Sequence, residues 1–157
     1  MNIEEFRSIF EKCLKKLFKK DKLLFEIDLK EECINSALLF HLREALPDLV
    51  KEDYNFDLEY NKYKEVEKIM DNGRSVRPDI LIHKRTIQKF NFLFVEAKKG
   101  QLRKGDKAKV NDALKDPYLY QFGVVVSYLP KKNYCFYWLL TTGEEFTNKK
   151  RMRLEKW

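Results

Sequence analysis

Two short charged segments hold the residue types and spacings that could support chemistry. Arg77-Pro78-Asp79 precedes an apolar run, and the apolar run at 92–95 ends in Glu96, with Lys98 two residues further on. Two carboxylates suit Mg²⁺ or Mn²⁺, and a metal at Asp79 and Glu96 would contact a scissile phosphate and lower the pKa of an attacking water. Lys98 would orient or deprotonate that water or stabilise charge on the phosphate, and the sequence leaves these roles open. The pattern predicts a metal-dependent centre for phosphodiester cleavage.

A third acid, Glu31, lies near the start of a helix predicted at 28–45. Apolar residues of the same helical stripe follow it at steps of three, four and four: Ile34, Leu38 and Leu42. Glu31 therefore belongs to the inward row, whereas Glu32 falls on another row, and Glu31 is the preferred candidate. An acid at the edge of a core needs a partner, which Lys98 or a water held by the metal would supply. We expect Glu31 to complete the centre as an auxiliary acid.

The geometry of two predicted strands would bring these groups together. The strands at 79–83 and 91–97 are joined by a short connection and should pair antiparallel, so the start of one lies beside the end of the other. Asp79 is then expected near Glu96. Glu96 and Lys98 are two residues apart and should project from the same face of the sheet.

The remaining elements are predicted to build a mixed sheet flanked by helices. The fold class is α/β or α+β, with about five strands, an extra N-terminal helix and one domain spanning 1–157. Periodicity and turn residues give the predicted boundaries. These are helices at 2–20, 28–45 and 106–115, strands at 54–60, 79–83, 91–97, 121–129 and 134–140, turns at 71–73 and 130–133, and a link at 85–88.

Each of these features taken alone also has an ordinary structural explanation. Pro78-Asp79 can mark the start of a strand, Glu96 and Lys98 can form an ion pair on one face, and Glu31 can complement the helix dipole. The combination favours a site, because all of these groups must fall at the correct structural places.

Charge and composition indicate the class of partner. The 157 residues include 32 Lys and Arg against 25 Asp and Glu, a formal charge of +7, which favours a polyanion. A basic stretch at 149–153 could serve the same purpose or form a solvated face. Four basic residues after the second motif are predicted to bind the phosphates of nucleic acid: Lys99, Arg103, Lys104 and Lys107.

Several other protein classes are not favoured. No apolar run reaches the roughly 20 residues of a membrane span, and the start lacks a secretory pattern, so a cytoplasmic protein without a membrane partner is predicted. Cys13, Cys33 and Cys135 lack zinc-ligand spacing and are expected as buried or half-buried small side chains without disulfides. His41 and His83 have no partner at ligand spacing.

The two motifs resemble the signature of the PD-(D/E)xK nuclease superfamily. The matching segments are 77–82 and 94–99, and Glu59-Tyr60-Asn61 and Tyr120-Gln121-Phe122-Gly123 look like those of a group of small bacterial members without an assigned task. The resemblance spans roughly 28–128. It implies a restriction-endonuclease-like core in which the positions of Asp79 and Glu96 ligate Mg²⁺, that of Lys98 assists the water and a helix Glu, here Glu31, completes the site.

The expected function is therefore a divalent-metal-dependent nuclease acting on DNA. The alternative is a catalytically silent module of the same fold that binds nucleic acid or a protein partner. A homodimer is left open, because nucleases that cut both strands of a duplex are often two-fold dimers.

Overall fold

A computed structural model of the chain describes residues 1–63, 66–67, 69, 73, 75–85, 90–129, 134–142 and 150–153. Parts of three predicted segments lie outside the described residues: residues 71–72 of the first predicted turn, residues 86–88 of the predicted link, and the whole predicted turn at 130–133. The helices are α1 (Ile3–Lys20), α2 (Lys22–Glu26), α3 (Glu31–Ala45), α4 (Pro47–Lys51) and α5 (Lys104–Ala113). The strands are β1 (Asn55–Leu58), β2 (Lys62–Tyr63), β3 (Val66–Glu67), β4 (Ile80–His83), β5 (Leu93–Lys99), β6 (Phe122–Leu129), β7 (Tyr134–Thr141) and β8 (Lys150–Arg153).

The main sheet has the strand order β1-β4-β5-β6-β7-β8, and β2 pairs with β3 in a separate ribbon. Neighbouring strands of the main sheet run antiparallel except β5 and β6, which are parallel. Helix α5 connects these two strands, as a parallel pair requires a crossover. The predicted mixed sheet and the coarse α+β class are confirmed, with six strands in place of about five.

The additional strand comes from the predicted basic stretch at 149–153. Residues 150–153 form β8, which pairs antiparallel with β7 at the sheet edge. Lys150 and Arg151 are exposed, whereas Met152 is buried against the apolar core, and this contact holds the charged segment on the sheet. Charge dominated the sequence pattern, so the strand was not predicted.

Two apolar cores lie on opposite faces of the main sheet. Helices α1 and α3 pack on the face that contains Val95 and Val124. Helix α5 packs on the face that contains Phe94 and Val125, through Val110 and its apolar neighbours. Successive strand residues alternate between these faces, so Glu96 shares the α5 face with Phe94.

Local backbone conformation explains where the predicted helix boundaries were wrong. The second predicted helix begins at Glu31 rather than 28, because Asp28 has φ 57°, which ends the α2 region and turns the chain. Helix α4 was not predicted; Pro47 occupies its first turn, where a missing N–H costs nothing. Helix α5 begins at Lys104, two residues before the predicted start.

The strand ends follow similar causes. The strand predicted at 54–60 is limited to β1, because Glu59 has φ 52° and leaves the extended conformation. Strand β5 continues to Lys99, beyond the predicted end at 97, so Lys98 is held by strand geometry.

The cysteine prediction was partly wrong. Cys13 and Cys135 are buried, whereas Cys33 is exposed on α3, and the three thiols are free. Helix α3 presents its apolar stripe one step after Cys33, at Ile34, which leaves the cysteine on the solvent side.

None of the described helices is long and apolar enough to cross a membrane.

Candidate active site at the end of strand β5

Asp79 is placed by the pairing of β4 with β5, which is antiparallel as predicted. Its backbone N–H donates to the carbonyl of Val95 at 3.1 Å, and its carboxylate Oδ2 accepts from the backbone N–H of Ala97 at 2.6 Å. The side chain thus occupies the position where β4 stops pairing with β5. Burial raises the pKa of Asp79, and the Ala97 amide and the charge of Lys98 oppose that rise.

Glu96 is the most deeply buried acid of the site, with 1% of its surface exposed. Its Oε1 accepts from Lys109 Nζ at 2.7 Å and lies 3.5 Å from Lys98 Nζ. Its Oε2 is buried and has no hydrogen-bond partner within the described part of the chain. Burial and the nearby charge of Asp79 raise the pKa of Glu96 to about 7, against the two ammonium groups. A buried carboxylate oxygen without a donor is costly unless a cation satisfies it.

Lys98 connects Glu96 with the helix acid. Its Nζ donates to Glu31 Oε1 at 3.2 Å, and Glu31 Oε2 accepts from the backbone N–H of Lys99. Glu31 is the first residue of α3, so the helix start meets the end of β5. Burial lowers the pKa of Lys98, but the charges of Asp79, Glu96 and Glu31 outweigh it, and the net pKa is raised. Lys98 is therefore an ammonium at neutral pH, which favours charge stabilisation over proton abstraction.

An open cleft of about 790 Å³ contains all four predicted residues on its walls. Arg77 and Glu59 lie on the same wall, with Arg77 Nη1 3.5 Å from Glu59 Oε2. Exposed Glu32 also lines the cleft, but it is Glu31 that contacts Lys98, in agreement with the predicted preference. The lining residues are Lys30, Glu31, Glu32, Glu59, Ser75, Arg77, Asp79, Glu96, Lys98, Lys99 and Lys109.

The four residues predicted to bind nucleic acid fall at different places. Lys99 lines the cleft, where its Nζ donates to the Asp28 carboxylate at 2.9 Å and to the Leu29 carbonyl at 2.8 Å. Arg103 and Lys104 are exposed at the start of α5. Lys107 lies with its Nζ 4.3 Å from the centre of the Trp138 ring and lines a second pocket. The structure therefore brings Lys99 to the cleft and Lys107 elsewhere.

Lys109 is not among the site residues predicted from the sequence. It lies on α5 and forms the shortest ionic contact that Glu96 makes in the described structure. The sequence around Lys109 gives no local signal for this contact; in the structure, the buried residues Asp106 and Ala113 lie three positions before and four positions after Lys109 on α5. Lys109 is therefore on the helix side that meets the sheet.

Asp79 and Glu96 are the described acids that fit a hard divalent cation. Mg²⁺ is commonly held by one or two carboxylates, with waters and substrate phosphate completing its shell. The unpartnered Glu96 Oε2 is consistent with such a ligand. No group of three or more His, Cys, Asp or Glu side chains is arranged to hold a metal among the described residues. The residues fit a two-carboxylate site and not a site made of protein ligands alone.

Comparison of the chain with protein-family models and with curated proteins finds no match.

Proposed function

We propose that this chain is a divalent-metal-dependent nuclease that hydrolyses phosphodiester bonds in DNA. The observation that carries the proposal is the convergence of Asp79, Glu96 and Lys98 at one end of β5, where a buried Glu96 oxygen has no donor among the residues that the structure describes. The cleft around them is open and large enough for a sugar-phosphate backbone. The formal charge of +7 is suited to a polyanionic substrate.

Asp79 and Glu96 would hold Mg²⁺ or Mn²⁺. When bound, the cation would supply Lewis-acid stabilisation of the phosphate and activation of water. Lys98, as an ammonium 3.5 Å from Glu96 Oε1, would stabilise the charge that develops on the phosphate oxygens. Glu31 would position Lys98 through their contact at 3.2 Å, and Lys109 would position Glu96 through theirs at 2.7 Å.

We also propose that the chain has a restriction-endonuclease-like core of the PD-(D/E)xK type. The support is the order of its elements around the motifs: α3 before the site, β4 antiparallel to β5, and a helical crossover to the parallel strand β6. The acid at the start of α3 contacts the motif lysine, and the resemblance implies a helix Glu that completes the site.

A cleavage assay with matched variants tests the nuclease proposal. The protein is incubated with labelled single-stranded, duplex and branched DNA in Mg²⁺, Mn²⁺ or EDTA. We expect cleavage in either metal, none in EDTA, and a loss of at least a hundredfold in Lys98→Ala, as for removal of one charge-stabilising group. Lys30→Ala is the matched control, because Lys30 is an exposed lysine of the same cleft, whereas the described ion pairs of Glu96 are with Lys98 and Lys109. An equal loss in both variants would contradict the assigned role of Lys98.

A second candidate is a catalytically silent module that binds nucleic acid or a protein. The observation in its favour is that Lys98 and Lys109 both pair with Glu96, so a closed ionic network can form without a metal. Such a module would bind DNA in a salt-dependent way that survives Lys98→Ala, with no product in either metal. If the protein does not bind DNA even at low salt, the module would bind a protein partner instead.

A further inference from the structure

A row of neighbouring residues begins at Lys98 of the proposed centre and crosses the main sheet towards β8. Lys98 of β5 is the register partner of Ser127 in β6, Ser127 is the partner of Phe136 in β7, and Phe136 is the partner of Arg151 in β8. Partners on adjacent strands share a face, and this row lies on the α5 face. Adjacent strands are about 4.8 Å apart, so Phe136 lies roughly 10 Å from the strand position of Lys98.

A pocket of about 360 Å³ lies along this row. Three aromatic side chains line it, and they occupy alternate positions of β7, so they project from one face: Tyr134, Phe136 and Trp138. Tyr134 and Phe136 are half-buried, and their rings meet edge to face at 5.0 Å. Ser127 is buried and donates to the carbonyl of Gly100, and Gln101 and Leu102, which follow Gly100, line the pocket opposite the aromatic side chains.

Positive charge borders the aromatic side chains. Lys107 lies over the Trp138 ring at 4.3 Å, and Arg151 lies over the Tyr134 ring at 4.2 Å. Cations beside aromatic faces are the combination used to bind single-stranded nucleic acid, in which bases stack on rings and phosphates meet the cations. Bases of an intact duplex are already stacked on each other and cannot reach such a floor without unpairing.

We propose that this pocket is a base-stacking subsite for single-stranded nucleic acid, with Phe136 as the principal platform. The inference rests on the proposed nuclease function and refines its substrate class. A nucleic-acid strand whose phosphate lies at Lys98 would pass over the segment at 100–102 and place a base one or two nucleotides away against Phe136. The substrate is then a single strand, or a duplex with a single-stranded extension.

Binding is measured without turnover, by fluorescence anisotropy of labelled oligonucleotides with the full chain in EDTA. The probes are single-stranded DNA, single-stranded RNA, blunt duplex DNA, and a single strand with abasic sites. Phe136→Leu keeps an apolar side chain but removes the π face, and we expect it to weaken single-strand binding roughly tenfold. Phe136→Trp should retain the affinity. Phe40→Ala is the control, because that ring is exposed on α3, away from the pocket.

The subsite is supported if Phe136→Leu lowers the affinity for single-stranded DNA or single-stranded RNA and leaves the affinity for the abasic strand unchanged. Equal affinities of wild type and Phe136→Leu for both single strands overturn it, as does wild-type affinity for the abasic strand that equals its affinity for the intact one. The abasic comparison uses the wild-type protein, so it holds if a variant does not fold. These measurements do not depend on cleavage. A protein that stacks bases but does not cleave DNA would therefore refute the nuclease proposal and leave the stacking subsite supported.

Discussion

Replacing Glu96 with Gln should stabilise the metal-free fold at alkaline pH while removing metal binding. The buried carboxylate of Glu96 faces the charge of Asp79, and its Oε2 has no donor in the described structure. Gln keeps the shape of the side chain but carries no charge. Lys98 and Lys109 oppose part of the cost in the wild type, and both would lose this partner in the variant.

The magnitude follows from the pKa of Glu96, which burial and Asp79 raise from 4.5 to about 7. Between these values the folded state binds more protons than the unfolded state, so this group lowers stability as the pH rises from about 4.5 to 7 and adds no further loss above. The free energy of unfolding of the wild type therefore falls by about 3 kcal/mol through this group, and that of Glu96→Gln does not, because Gln does not ionise. The difference in Tm between variant and wild type should thus grow by about 6–12 °C from pH 4.5 to pH 8 for a chain of this size.

Thermal unfolding in EDTA at several pH values measures the pH-dependent difference in stability. The same series with Mg²⁺ or Mn²⁺ measures metal binding. Metal at about 100 times its Kd should stabilise the wild type by about 2.7 kcal/mol and leave Glu96→Gln unchanged. Glu32→Gln is the matched control, because Glu32 is exposed on the same cleft. A difference in Tm that stays constant with pH would refute the electrostatic reasoning, and equal metal stabilisation of both proteins would refute the assignment of Glu96 as a ligand.

Two further predictions concern the fold that supports the site. Burial raises the pKa of Asp57, but hydrogen bonds from His83 and Arg85 outweigh it and bring the pKa to about 2. Asp57→Asn should therefore cost about 2 kcal/mol at pH 7, and the difference from wild type in urea unfolding should shrink as the pH falls from about 4 towards 2; a cost independent of pH would exclude the ion pair as its source. In Gly123→Ala the new Cβ would lie 2.5 Å from Val110 Cγ1, so the Val110 side chain or α5 itself must move, at a cost of about 1–3 kcal/mol. An unchanged urea midpoint for Gly123→Ala would show that the contact relaxes freely.

The sequence was sufficient for the features that depend on local patterns. The apolar stripe of α3 and the apolar runs of β4 and β5 are buried in the fold, whereas in β1 the polar Asp57 is buried and Leu58 is exposed. The short connection between β4 and β5 favours antiparallel pairing, and this pairing places Asp79 beside the end of β5. The predicted grouping of Asp79, Glu96, Lys98 and Glu31 at one cleft followed from these local rules.

The tertiary structure decided which partners the charged groups find. Lys109 reaches Glu96 only because α5 packs on the β5 face, and Arg151 joins the row of Lys98 only because β8 pairs at the sheet edge. Neither contact has a local signature, since residues far apart in the chain meet through the packing of whole elements. Burial works in the same way: the surroundings of Glu96, and not its neighbours in sequence, raise its pKa. Residue types and spacing therefore determined which groups can do chemistry, and packing determined their charges and contacts.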